Sequence, residues 1–244
     1  MVNNKVIKIT AVLNKGISFN LIELLKQVNV QNINLNAGRT LTLHEKRKFF
    51  GLIHEAALTE APVEIISFLI DADKEDEILS FIIEKAELNV PGRGSVYSEE
   101  IKITKAHPLC MEDQPVIEKE KSGLIQSDLL GICCIVNKGQ GNSIARTALD
   151  SGISVPVITY GEGTGFRNKI GLLRITIPAE KEVVNVLASS YDAETLMNLM
   201  IDIGKLDQPG KGFIYLYPIR KGVLNTRIIR GDKSQVASIE QIVS

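Results

Sequence analysis

The 244-residue chain has no tryptophan, and aromatic residues make up only 5% of it. That leaves no evident aromatic platform on which bases could stack. Cysteine is scarce too: Cys110, Cys133 and Cys134 form neither an even disulfide framework nor a C-x-x-C pair. Cys133 and Cys134 lie in the apolar run 131–136, where cysteine serves as a small buried hydrophobe; a vicinal redox pair is the alternative. This usage fits a reducing, cytoplasmic setting. Neither sign of charge dominates, and a formal net charge of −1 argues against a protein that grips nucleic acid by counterion release. No apolar run approaches the ~20 residues of a membrane span. Met1-Val2-Asn3-Asn4-Lys5 leads straight into a strand-like stretch, so no signal peptide is expected. His44, His54 and His107 are scattered without ligand spacing, and no Ser/His/Asp, Cys/His or paired-carboxylate arrangement emerges. The expectation is a protein that is not an enzyme and holds no metal and no tightly bound cofactor.

What the chain does have is one short stretch written twice. Pro91-Gly92-Arg93-Gly94 returns as Pro209-Gly210-Lys211-Gly212, each after an amphipathic helical pattern and before an apolar run. Two glycines around a cation allow backbone N–H groups to converge beside a positive charge, which is a phosphate cradle. The same residues also serve a tight helix-to-strand turn, because glycine supplies the unusual dihedrals. Both readings stand at this point.

The rest of the chain follows the same duplication. Residues 5–13 alternate as a strand, and Asn14-Lys15-Gly16 turns the chain. Ser18 is placed to cap a helix carrying Leu21, Ile22, Leu25 and Val28. Residues 33–37 form a second strand stopped by Gly38, followed by a polar, basic loop over 39–62. Within that loop, residues 44–48 read as a solvated tip or a partner patch, and Phe49-Phe50 as a docking anchor or as packing. Residues 63–70 are apolar almost throughout, predicting a strand buried on both faces. Asp73 is placed to cap a helix with Ile78, Phe81, Ile82 and Ala86 at helical spacing, and a fourth strand ends near Ile103. After a mixed-charge linker the pattern restarts: Asn137-Lys138-Gly139 repeats Asn14-Lys15-Gly16 at an offset of 123 residues. Gly161 matches Gly38 at that offset, and Glu182-Val183-Val184 matches Glu64-Ile65-Ile66 at 118. The second helix of this half carries Leu196, Leu199, Met200 and Ile203 on one predicted stripe. The offset changes only inside the loop between the second and third strands, where a length difference of about five residues is best tolerated. Each half therefore reads as a ferredoxin-like βαββαβ unit of the α+β class, in two tandem copies.

On these residues the chain resembles a tandem pair of nitrogen-regulatory PII domains. The most specific stretches are Gly161-Glu162-Gly163-Thr164, Ile170-Gly171-Leu172 and residues 204–219. The last resembles the less-characterised branch of the family, in which Pro-Gly-Lys-Gly stands where signal-transducing members carry Gly-Asp-Gly-Lys. The implied division is a first PII-like unit at 1–105, a linker at 106–127, a second unit at 128–222 and a tail at 223–244. The resemblance implies a homo-oligomer with three-fold symmetry, the sheets lining its centre, and an adenine nucleotide (ATP, ADP or AMP) as effector between neighbouring domains. Three chains would close most simply as two stacked rings. Nucleotide contacts are implied at Gly161, Gly163 and Thr164 near the base, and at Gly210, Lys211 and Gly212 near the phosphates. The first-half counterparts are Gly38, Arg39, Gly92, Arg93 and Gly94.

Some positions depart from the family. Its loop lysine falls on Ser95 and Phe213, so Arg93 or Lys211 would have to coordinate phosphate. Neither 39–62 nor 162–180 contains a tyrosine for uridylylation, and Arg220, Arg227 and Arg230 are loose candidates for the family's C-terminal arginines. The implied function is a regulator that senses an adenine nucleotide and acts on an unidentified target protein, in nitrogen or related metabolism, through its long loops. The alternatives are a PII-fold scaffold with degenerate ligand clefts and a metal-linked trimeric relative.

Overall fold

The structure, a computed structural model, describes residues 6–47, 54–102, 122–163, 169–170, 175–176 and 179–224. The first repeat comprises β1 (Val6–Asn14), α1 (Ser18–Gln27), β2 (Asn34–Arg47), β3 (His54–Asp71), a 3-10 turn (Ala72–Lys74), α2 (Glu75–Lys85) and β4 (Gly94–Ile101). The second comprises β5 (Leu129–Asn137), α3 (Gly141–Asp150), β6 (Val157–Gly163), the short pair β7 (Lys169–Ile170) and β8 (Ile175–Thr176), then β9 (Ala179–Ser189), α4 (Ser190–Gly204) and β10 (Gly212–Ile219). A last strand, β11 (Lys221–Val223), begins the stretch expected to lead into the tail. The bounds of β1 and α1 recur in β5 and α3 at the 123-residue offset, and those of β4 recur in β10 at 118.

Each repeat has the antiparallel strand order second-third-first-fourth, β2-β3-β1-β4 and β6-β9-β5-β10, with its helices on one face. This is the expected ferredoxin-like α+β unit, twice. Ile7, Ile9 and Leu13 of β1 pack with Leu21, Leu25, Ile78 and Ile82 of the helices. Ile132, Cys134 and Val136 do the same with Ile144, Leu149, Leu196 and Met200. Burying a leucine is worth roughly 1.5–3 kcal/mol against ~1 kcal/mol for a cap, so packing decides where these helices sit.

Several local expectations are corrected. Ser18 is the first residue of α1 rather than its cap, and its buried hydroxyl donates to the Glu64 carboxylate instead. Asp73 lies within the 3-10 turn and makes no cap; α2 begins after Lys74 without a side-chain cap. Gly38 does not stop the second strand. β2 continues to Arg47 and pairs with β3 as far back as His54, so much of the expected loop is a β-hairpin. Thr40-Leu41-Thr42-Leu43 supplies the period-2 pattern a strand needs, ahead of the charges that follow. Gly161 likewise lies inside β6, which runs to Gly163. β3 is not buried on both faces: Ile66, Phe68 and Ile70 face the helices, whereas Ile65, Ser67 and Leu69 are half-buried on the other side. In α4 the buried row is Ala193, Leu196, Met200 and Gly204, and Leu199 and Ile203 are exposed. The small residues explain the rotation, since a Cβ at Gly204 would lie 3.1 Å from Ile144 Cδ1 of α3. Phe49, Phe50 and most of the expected linker and tail lie outside the described residues, as do the side chains of residues 44–48.

The two repeats share one nine-stranded sheet, joined at two seams. β2 pairs with β6 through Arg39–Ile158 and Thr40–Val157. The second seam forms where the chain leaves β5. β10 pairs with β5 up to Ile219, and after Arg220 the same extended segment, now β11, pairs with β4 of the first repeat. One strand thus changes partner at Pro218-Ile219-Arg220 and links the two ends of the sheet, the kind of corner that closes sheets on themselves. Beside it, Glu75 is almost fully buried and accepts from Ser98 Oγ at 2.6 Å and from Arg220 Nη2 at 3.1 Å. Lys221 lies 3.4 Å from the same carboxylate and also pairs with Asp76.

Burial alone would raise the Glu75 carboxyl, but bonds from Arg220 and Ser98 and the charges of Lys221 and Arg220 outweigh it. The carboxyl is held below its ordinary value of 4.5. A depressed acid stabilises the fold at pH values above its unfolded pKa and loses that contribution as pH falls through the folded one. Glu75→Gln is therefore expected to lower stability by about 1–2 kcal/mol near neutral pH, and by much less once pH drops below ~4. Urea midpoints of both proteins across that range check it; a constant gap would refute the linkage.

Candidate functional site

In each repeat the register brings the sequence-predicted glycines into one row at one end of the sheet. In the first, Gly38 and Asn14 both pair with Val63, and Gly94 lies beside Asn14 opposite Leu13. In the second, Gly161 and Asn137 both pair with Lys181, and Gly212 lies beside Asn137 opposite Val136. The glycine of the second strand and the Pro-Gly-x-Gly turn are thus separated by three strand spacings, ~14 Å.

The turn is built the same way in both copies. Gly92 and Gly210 have φ of 80° and 79°, and Gly94 and Gly212 have φ of 146° and 148°. A Cβ at Gly94 or Gly212 would lie 2.2 Å from the carbonyl oxygen of Val12 or Ile135. Asn14 Nδ2 donates to the Gly92 carbonyl at 2.7 Å, and Asn137 Nδ2 to the Gly210 carbonyl at 3.3 Å. The glycines are accordingly required by the turn itself, and the Asn-Lys-Gly motif is its brace.

The two rows differ in what surrounds them. In the first repeat Gly38 is covered: a Cβ there would meet Ile158 O at 3.1 Å and Thr159 Cγ2 at 3.4 Å. Arg39 is committed to structure. Its Nη2 donates to Glu182 Oε1 at 2.8 Å, its Nε lies 3.4 Å from Glu60, and the guanidinium sits 5.2 Å from the Tyr160 ring centroid. Arg93 is paired with Glu87. In the second repeat nothing lies within 4 Å of a Cβ at Gly161 or Gly210. Gly161 lines a cavity of about 490 Å³ with Lys138, Tyr160, Glu162, Glu180 and Lys181. Lys181 Nζ donates to Asn137 Oδ1 at 2.5 Å, linking this cavity to the turn. Lys211 makes no ion pair among the described residues. Gly163 ends β6, while Thr164, Arg227 and Arg230 lie outside the described residues; Arg220 is held by Glu75 and Glu100.

Sequence reasoning missed Glu182. Its Oε2 accepts from the backbone N–H of Gly139 at 2.9 Å and of Gly141 at 2.7 Å, at the start of α3. Its other oxygen holds Arg39 of the first repeat. The signal was present in the alignment of Glu182 with Glu64, which serves α1 through Ser18. Also missed was an aromatic ladder on β10. Phe213 and Tyr215 stack with centroids 6.2 Å apart, and Tyr215 and Tyr217 follow at 6.2 Å. Alternation along the strand places all three on one face, so low aromatic content was a poor guide.

Cys133 and Cys134 are buried on successive positions of β5, and their side chains therefore point to opposite faces. Burial raises the Cys133 thiol, and burial with the neighbouring Cys133 pushes Cys134 up to about 12. Neither is a thiolate at ordinary pH, which removes the redox reading.

No family model matches the sequence, and no curated protein matches it. Among solved structures, Arabidopsis thaliana PII bound to citrate is similar over 38% of this chain and 78% of its own, at 17% identity and a TM-score of 0.31. The repeat unit is PII-like in fold. The B. subtilis GlnK–ATP complex matches over 40% of this chain and 84% of its own (13% identity, TM-score 0.33), and B. subtilis GlnK over 40% and 85% (13%, 0.32). The strand order and helix placement within each repeat carry the ferredoxin-like assignment.

Glu182→Ala removes the partner of a largely buried guanidinium and the acceptor of two N–H groups. It is expected to destabilise the protein by about 2–4 kcal/mol, whereas Lys138→Ala, an exposed partner of Glu180, is expected to leave stability unchanged. Denaturant unfolding of the two variants checks the contrast; equal effects would remove Glu182 from its linking role.

Proposed function

We propose that the chain is a PII-like regulatory protein, not an enzyme, whose second repeat binds an adenine nucleotide. The base lies against Gly161 and Gly163, and the phosphates against Gly210, Lys211 and Gly212. The observation that carries this reading is the difference between the two rows. The second has an open glycine, an adjoining cavity and, at the turn, a lysine with no ion pair among the described residues. The first has its glycine covered and both arginines paired. Backbone N–H groups of the turn and one cation suit phosphate, and a glycine wall admits a flat base. The row's span of ~14 Å separates the two ends.

The segment that follows Gly163 starts beside the base site, so a nucleotide favouring one arrangement of it shifts its availability to a target protein. The first repeat then contributes the other side of the seam rather than a second sensor. A three-fold homo-oligomer belongs to this reading as an assembly of whole chains. Within one chain the helix-free faces of the two repeats already face a shared cavity. Sedimentation or light scattering decides this part, and a monomeric mass removes it.

A scaffold with degenerate clefts is the second reading, favoured by Ser95 and Phe213 at the position of the family's loop lysine. Calorimetric titration with ATP, ADP and AMP separates the two. Lys211→Ala is expected to weaken binding about tenfold, equivalent to ~1.4 kcal/mol, and Arg93→Ala to leave it unchanged. Absence of binding by the unaltered protein at millimolar nucleotide would leave the scaffold.

A further inference from the structure

A second cavity among the described residues lies apart from the glycine rows. It encloses about 510 Å³ between the helix-free faces of the two repeats, within the size range of small-molecule sites. Its walls come from β1, β2, β3 and β4 on one side and from β9, β10 and the approach to β6 on the other. Such a space exists only because both seams join the sheet to itself.

Its chemistry is polar but without net charge. The charged groups lining it are Lys8 and Glu99, which neutralise one another at 3.0 Å. Beyond them the polar lining is hydroxyl and amide. Asn34 and Asn36 are exposed and Asn185 is half-buried; none has a side-chain partner among the described residues, so their hydrated amides can exchange water for a guest. Three tyrosines, Tyr97, Tyr215 and Tyr217, complete the wall. Burial holds Tyr97 and Tyr217 above their ordinary values, and Tyr215 is pushed up to about 12 by its bond to Cys133 and by burial. All three are neutral phenols at physiological pH. Tyr215 is part of the ladder with exposed Phe213, so flat aromatic faces lead from solvent to the amides.

The repeat relation shows how this surface arose within one fold. Lys8 paired with Glu99 corresponds to Gly131 paired with Tyr217, and Thr10 with Tyr97 corresponds to Cys133 with Tyr215. Gly131 has the room the second repeat needs: a Cβ there would lie 2.1 Å from the Tyr217 ring. The helix-facing positions of the repeats match in type, and Tyr97 matches Tyr215, whereas the Lys8–Glu99 pair and its counterpart Gly131–Tyr217 diverge in charge and size.

We propose that this cavity binds a small, uncharged, polyhydroxylated ring compound, of the monosaccharide or cyclitol class. Amides and hydroxyls match ring hydroxyls, aromatic faces match the apolar face of a ring, and the absence of an unpaired cation disfavours phosphate or carboxylate ligands. This site stands independently of the nucleotide reading.

Three of the chain's five tyrosines line this cavity and there is no tryptophan, so tyrosine emission responds to its occupancy without energy transfer to indole. The experiment titrates the full chain with methyl α-glucoside, myo-inositol and glucose 6-phosphate up to tens of millimolar, following that emission and, in parallel, calorimetric heat. A saturable response to one of the neutral compounds, and a far weaker one to the phosphate, is expected. Asn185→Leu and Tyr215→Ala should each weaken it at least tenfold, while Lys211→Ala leaves it unchanged. Circular dichroism and unfolding midpoints confirm that each variant is folded; if Tyr215→Ala is not, Asn36→Leu takes its place. No saturable response to either neutral ring, or one that survives every cavity variant, overturns the proposal. Response to the phosphate ester alone overturns it equally.

Discussion

A β-sheet edge cannot be left bare without consequence: its N–H and C=O groups need partners. Each repeat of this protein has two such edges, and turning the repeats on one another covers parts of three of them, leaving the outer edge of β10 without a strand partner among the described residues. β2 and β6 cover each other over a short seam, and β11 covers part of β4 after the chain leaves β5. Arg39–Glu182 fastens the first seam and Glu75 with Arg220 and Lys221 fastens the second. In both cases a nearly buried carboxylate of one repeat meets a cation of the other. The carboxylates also satisfy groups in their own repeat, namely two N–H groups at the start of α3 and the Ser98 hydroxyl. That double service makes burial of a charge tolerable.

The seams also divide the labour between repeats that share one plan. Joining β2 to β6 covers Gly38 and draws in Arg39, so the first repeat loses an open glycine row. The equivalent row of the second repeat keeps Gly161 open and has Lys181 where the first has Val63. The same joining brings the helix-free faces together around a polar space. Structural closure, asymmetry of the two glycine rows and the interior cavity are three consequences of one arrangement of strands.

Much of the unit was legible in the chain itself. The offsets of 123 and 118 locate β5, α3 and β10 from β1, α1 and β4, because a duplicated unit with the same hydrophobic period folds to the same register. Where local reading failed, a competing effect can be named. Gly38 and Gly161 looked like strand stops, yet cross-strand pairing outweighs the weak preference of glycine against strands. Ser18 and Asp73 looked like caps, yet Ser18 found a carboxylate and a 3-10 turn intervened after Asp71. The face of α4 was set by small residues that let it approach α3, a fact invisible to a hydrophobic count.

The candidate site divides along the same line. Sequence alone determined the two glycine turns and their bracing asparagines, because positive backbone dihedrals and a close carbonyl demand glycine wherever the turn is placed. It also determined that each repeat would set a glycine of its second strand level with its turn, since strand register follows from alternation. Only the tertiary structure decided which row stayed open, what Arg39 and Arg220 were for, and that Tyr215 and Tyr217 of β10 would border a cavity. Those outcomes depend on contacts between residues more than a hundred positions apart, and nothing in local periodicity encodes which sheet edge meets which.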